Sequence, residues 1–304
     1  AKPWKDIGTW NVSAITDFSS AFTGRTGGST TSVNFNDNIA DWDMGSATSL
    51  ANMFYGAEAF NQDLSAWDVT KVSNMGQTFR GAIAFNNGEV STDTSSNPLN
   101  WTTTALTNME RTFQSAKKFN QTLPNWDTSG VTTFNSTFRD AWVFNQDITA
   151  WNTSAATNSS AMNNMFKAAK KFNQDISSWD VSSVTKFNDT FGGALEFNQD
   201  LRSWNVDKVT SFTNMFNGVA AALGAPTTPT IAYFTLDVDD AGKFQAARKE
   251  LLNPTSINGL YTVYGFPNTW AWPTAAAGIG NLGNVTDLSN FFKQDGDPTP
   301  NTAG

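Results

Sequence analysis

The chain contains no histidine and no cysteine. Without imidazole there is no usual general base, no serine or cysteine triad, and not the commonest zinc ligand. Without thiols there is no thiol nucleophile, no thiolate metal site and no disulfide, so stability rests on packing in any redox compartment. Charge is scarce as well. Only 15% of the 304 residues are charged, and the formal net charge is −8. A nucleic-acid footprint needs a basic face, and no Lys/Arg cluster stands out along the chain. No apolar run reaches membrane-spanning length, and no signal peptide is expected. The chain begins at Ala1 rather than Met, as a processed product or a fragment would. Chemistry through paired carboxylates, lysine or oxygen-ligated cations remains open.

What is abundant is aromatic: 12 Trp and 24 Phe. They recur. Trp stands at Trp10, Trp42, Trp67, Trp101, Trp126, Trp151, Trp179 and Trp204, with spacings of 32, 25, 34, 25, 25, 28 and 25. The base period is 25, interrupted by insertions around 24–31, in 88–97 and in 152–160. Twelve residues after Trp comes a Phe (Phe22, Phe54, Phe79, Phe113, Phe138, Phe191, Phe216), with Phe166 displaced by the third insertion. Six residues later comes another (Phe60, Phe85, Phe119, Phe144, Phe172, Phe197), with Phe35 displaced by the first. A register that resumes after each interruption marks a repeat protein.

Alternation around Trp predicts a short strand. The steps Val72, Met75, Phe79 and Ala82 predict a helical stripe, preceded by a hydroxyl (Thr16, Thr48, Ser73, Thr107, Thr132, Thr185, Thr210) placed as a helix N-cap. Each coil therefore reads as strand, turn, short helix, turn. The predicted fold class is α/β: a solenoid of about eight coils whose stacking buries a ladder of Trp and Phe. At about 4.8 Å per coil it would be about 40 Å long.

Three polar columns accompany the core. Asn follows the second Phe at Asn36, Asn61, Asn86, Asn120, Asn145, Asn173 and Asn198, usually with Gln after it. This predicts a structural amide ladder that satisfies backbone groups in a turn and bonds from coil to coil; a ligand role is the alternative. Asp follows Trp at Asp43, Asp68, Asp127 and Asp180, with Asn11, Asn152 and Asn205 in the same column. A further column holds Asp6, Asp63, Asp147, Asp175 and Asp200. Stacked carboxylates repel unless solvated, capped or bridged. The Asp43 column is thus either a solvated edge, the plainer reading, or an exposed face for calcium or sugar. No glycine-rich calcium loop accompanies it. No catalytic or cofactor-binding residue stands out: the five Glu are scattered, and the 88–97 insertion reads as a Ser/Thr/Asn loop.

The segment FNQDLSAWDVTKVSNMGQTFRGAIAF, at 60–85, resembles the BspA-like surface-protein repeat, a variant of the leucine-rich repeat of about 25 residues. It is also matched at 172–197 and 197–216, and the resemblance covers about residues 4–220. It implies a leucine-rich-repeat-like solenoid on a cell or virion surface, serving adhesion or structure, with protein or glycan partners and no catalytic residues to transfer. No cofactor is expected beyond the calcium alternative.

Two regions are expected: the repeat solenoid at 1–225 and a C-terminal capping or docking segment at 226–304, ending in a flexible tail. Within the latter, 231–238 reads as a strand and 241–252 as a helix. Val285, Leu288 and Phe292 repeat the spacing of Val72, Met75 and Phe79, as a degenerate last coil would. Since solenoid ends need covering and the first coil is in register from Asp6, upstream sequence or a second subunit is expected over that end.

Overall fold

A computed structural model describes residues 6–23, 35–92, 95–197, 199, 201 and 203–215. The C-terminal segment at 226–304, Asn198 and Asp200 lie outside the described residues.

The aromatic columns form continuous stacks. The first Phe of each coil sits on its counterpart in the next, from Phe22 through Phe54, Phe79, Phe113, Phe138 and Phe166 to Phe191, with centroids 5.5 to 5.8 Å apart and nearly parallel planes. The second Phe column repeats this from Phe35 to Phe197 at 5.7 to 6.1 Å. Within each coil the two rings lie 3.9 to 4.1 Å apart. Trp67, Trp101, Trp126, Trp151 and Trp179 form a third stack at 5.9 to 6.4 Å. Parallel rings at these centroid distances are offset-stacked, the arrangement the ring quadrupole favours.

Trp is polar at one atom, and the stack satisfies it. The indole Nε1 donates to the carbonyl of the Ile or Leu that precedes Trp in the coil before, three residues ahead of it except at Leu99, which is two ahead of Trp101: Trp42 to Ile7, Trp67 to Ile39, Trp101 to Leu64, Trp126 to Leu99, Trp179 to Ile148 and Trp204 to Ile176, at 2.8 to 3.1 Å. Trp151 is the exception, its Nε1 buried without a partner. The column is not uniformly core: Trp10 is 52% exposed whereas Trp101 is 1%.

The expected strand and helix are not what the described residues form. They contain one short 3-10 helix, Ile7–Thr9, and isolated parallel bridges linking Asp17, Ser49, Asn74, Asn108 and Thr133, and Lys186 with Ser211. The predicted helical stripe is a run of overlapping turns. Its amide groups take two routes in alternation. Met53, Tyr55 and Ala57 donate back three residues in their own coil, whereas Asn52, Phe54 and Gly56 donate to Gly76, Thr78 and Arg80 in the next. An α-helix keeps all these bonds inside the segment. Diverting every second one requires a left-handed residue at regular intervals. These occur at Ser20, Asn52, Gln77, Arg111, Ser136, Asn164, Asp189 and Asn214, and four residues further on at Gly56, Gly81, Ser115, Asp140, Ala168 and Gly193. Non-glycine residues pay a local conformational cost there, offset by bonds to the neighbouring coil.

The hydroxyl column is likewise not an N-cap. Thr48, Ser73, Thr107, Thr132 and Thr210 each donate to the carbonyl of the same column one coil earlier, at 3.1 to 3.3 Å. Apolar steps of three and four are also those of consecutive turns, so the spacing of the stripe fits both. Ala57, Ala82, Ala116, Ala141, Ala169 and Ala194 are fully buried in both readings.

Candidate functional site

The Asn column runs between coils. The backbone N–H of Asn61 donates to Asn36 Oδ1, that of Asn86 to Asn61, Asn120 to Asn86, Asn145 to Asn120 and Asn173 to Asn145, all at 2.7 to 2.9 Å. The next residue reinforces it: Gln62, Gln146, Gln174 and Gln199 donate through Nε2 to the preceding coil's Asn Oδ1 at 2.8 to 2.9 Å. Coil length does not disturb the ladder, since the 34-residue step from Asn86 to Asn120 closes like the 25-residue ones.

The 88–97 insertion lies along this ladder. The carbonyls of Glu89, Ser91 and Thr92 accept the side-chain amides of Asn61, Asn86 and Asn120 at 3.0, 2.7 and 2.8 Å. Ser95 Oγ accepts the N–H of Thr122, and Gln121 Oε1 accepts the N–H of Asn97. Asn86 and Asn120 are buried, while Asn61, Asn145 and Asn173 are half-buried. The described residues of the insertion, 88–92 and 95–97, thus strap three coils.

The side chains of the Asp column bond within their own turns, although the Asp127 and Asp180 carbonyls accept hydroxyls of Thr103 and Thr153 from the coil before. Asp43 Oδ1 accepts the N–H of Gly45, Asp68 that of Thr70, Asp127 that of Ser129 and Asp180 that of Ser182, at 2.9 to 3.0 Å. Asn11, Asn152 and Asn205 do the same for Ser13, Ser154 and Asp207. These are Asx turns, the local alternative that a short acidic or amide side chain offers the backbone. The hydroxyl and amide of Thr70 hold the Asp68 carboxyl below the usual carboxylate range; Ser129 and Ser182 do so for Asp127 and Asp180. The second acidic column repeats the device, with Asp63, Asp147 and Asp175 accepting from Ser65, Thr149 and Ser177. Among the described residues no three acidic groups come together as a metal site. The carboxylates offered as a candidate face for calcium or sugar are each engaged with their own turn.

The structure assembles one group that the sequence analysis passed over. Trp142 lies outside the repeated Trp column and is 37% exposed. Lys117 Nζ and Lys170 Nζ each lie 4.1 Å from the centroid of its ring. All three occupy one position of the repeat, sixteen residues after Trp101 and Trp126, with Lys170 shifted by the three-residue insertion. The two Lys-Lys pairs of the chain are 53 residues apart, and only the repeat brings them to flanking coils. Aligning the coils on Trp would have shown the coincidence. Lys171 pairs with Glu196. Among the described residues no helix is long and apolar enough to cross a membrane.

Comparison with known families places the repeats. A family model described as "Mycoplasma protein of unknown function, DUF285" matches three times, at residues 1–98, 90–163 and 159–228. No curated protein and no solved structure matches.

Proposed function

The chain belongs to that Mycoplasma repeat family, and from this we propose that it is a non-enzymatic solenoid displayed outside a cell or on a virion, acting in adhesion or assembly. The narrower kinship with BspA-like surface repeats is part of the same proposal, as is a leucine-rich-repeat-like coil stack over 1–225. One observation carries it: the repeated polar columns are consumed in holding coils to each other or closing turns, while the same register lines up surface side chains from coil to coil. Such a molecule offers a long, regular face on which weak contacts add through multivalency. The partners this favours are glycans or proteins presented in many copies.

Two measurements test the proposal. A glycan array combined with a reducing-sugar assay is expected to show retention of a glycan without turnover. Release of reducing ends would overturn the non-enzymatic reading in favour of a carbohydrate-active enzyme. Proteomics of purified particles and surface-labelled cells is expected to recover the protein on the exterior; an exclusively internal location would overturn the surface reading. A virion fibre or decoration role is distinguished by recovery in particles alone.

A further inference from the structure

We propose that Lys117, Trp142 and Lys170 form a binding site for an acidic polysaccharide, whose sulfate or carboxylate groups pair with two ammonium groups held by one indole ring. The site deepens the adhesion reading and rests on it.

Both lysines belong to coils adjacent to that of Trp142, two coil steps apart along a stack whose Phe columns advance by 5.5 and 5.8 Å. Each ammonium lies 4.1 Å from the ring centroid, the geometry of a cation–π contact. The contact restrains two long side chains that would otherwise sample many rotamers, and it consumes no charge. Among the described residues neither Lys117 nor Lys170 makes an ion pair, in contrast to Lys171 with Glu196 and Lys167 with Asp189. In a chain of net charge −8 this is a local inversion of sign.

The exposure of the site selects the ligand. A lone anion at a solvated ammonium is weakly held and screened by salt, so useful affinity requires several charges on one chain. An acidic peptide gains little beyond charge. Part of the backbone here is already engaged between coils, Lys118 N–H with the Ile83 carbonyl, Lys171 N–H with Trp142 and Glu196 N–H with Lys170, at 3.3, 3.1 and 3.0 Å, which interrupts a row for strand addition. What remains is a pair of ammonium groups and the exposed part of an indole. Regularly spaced anions and the apolar C–H groups of a sugar chain complement that combination. A neutral sugar stacked on the ring is disfavoured, because ammonium groups sit over it.

The test uses the full chain and immobilised heparin (sulfate) and polygalacturonate (carboxylate), with poly-glutamate and single-stranded DNA as rival polyanions. The wild type is expected to bind at least one polysaccharide more tightly than either rival, with affinity falling steeply as salt rises. The double variant Lys117→Gln/Lys170→Gln is expected to lose about tenfold in affinity. Trp142→Leu, which keeps both charges but removes the clamp, should lose a smaller part. Lys208→Gln, elsewhere on the surface, should lose none. Unchanged thermal midpoints would show that these substitutions, at exposed Trp142 and Lys170 and half-buried Lys117, leave the stack intact. Equal binding by the double variant, equal or tighter binding of poly-glutamate or DNA, or no binding to either polysaccharide would each overturn the proposal. If the protein still adheres to its native surface after the double substitution, this site fails while the adhesion reading stands.

Discussion

The Asn and Asp columns pose the same problem and solve it in opposite ways. Both place one polar side chain per coil at a fixed register, and both satisfy a backbone N–H with a side-chain oxygen. Asn120 Oδ1 reaches forward to the N–H of Asn145 in the next coil, whereas Asp127 Oδ1 reaches two residues along its own chain to Ser129. The first bond is part of an interface between coils, and the second belongs to one turn. Periodicity alone does not distinguish them. What does is chemistry: a stacked column at bonding distance tolerates a neutral amide that both donates and accepts, while carboxylates are tolerated where water screens them.

The largest effect expected from this contrast is at Asn120. Asn120→Ala strips acceptors from Asn145 N–H and Gln146 Nε2 and a donor from the Thr92 carbonyl, at a site only 7% exposed. Three part-buried groups left unpaired in this way cost about 2–4 kcal/mol together, measurable by denaturant unfolding; a loss below about 1 kcal/mol would erase the distinction between the columns. Asn145→Ala breaks the same ladder beyond the strap, where water reaches the site. A loss of about 1–2 kcal/mol is expected, and amide exchange should rise at Asn173 more than at distant coils. Asp127→Ala removes a bond internal to an exposed turn and should stay within about 0.5 kcal/mol.

The smallest effect is on pH dependence. Hydrogen bonds from Thr70, Ser129 and Ser182 depress the folded-state pKa values of Asp68, Asp127 and Asp180. Their contribution is therefore complete above the unfolded value, about 3.9, and disappears as pH falls through the lower folded values. Asn already occupies this column at Asn11, Asn152 and Asn205. Replacing the three Asp by Asn is expected to keep the turns and flatten the acid limb of the stability profile below about pH 4, with little change at pH 7. An unaltered acid limb would place the titration elsewhere.

The repeat, its aromatic columns and the places of its insertions were readable from spacing, because a core ladder demands the same large side chain at the same register in every coil. The backbone inside the coil was not. Val72, Met75, Phe79 and Ala82 fit a helix, and only the left-handed residues at Gln77 and Gly81 reveal turns whose bonds leave the segment. Asn52, Gln77 and Arg111 share one such position, so no single residue type announced it. The clustering of Lys117, Trp142 and Lys170 was hidden because these residues vary from coil to coil while the columns around them do not.

The Asn ladder also bears on how such a gene changes. Among the described residues every junction from Asn36 to Asn173 joins the same atoms, whether the intervening coil holds 25 residues or 34. A duplicated coil would thus meet a ready acceptor before it and supply one after it, with no neighbour forced to repack. Chain length becomes a heritable trait that recombination can alter in whole steps. The surface positions of each coil are meanwhile free to diverge and acquire specificities of their own.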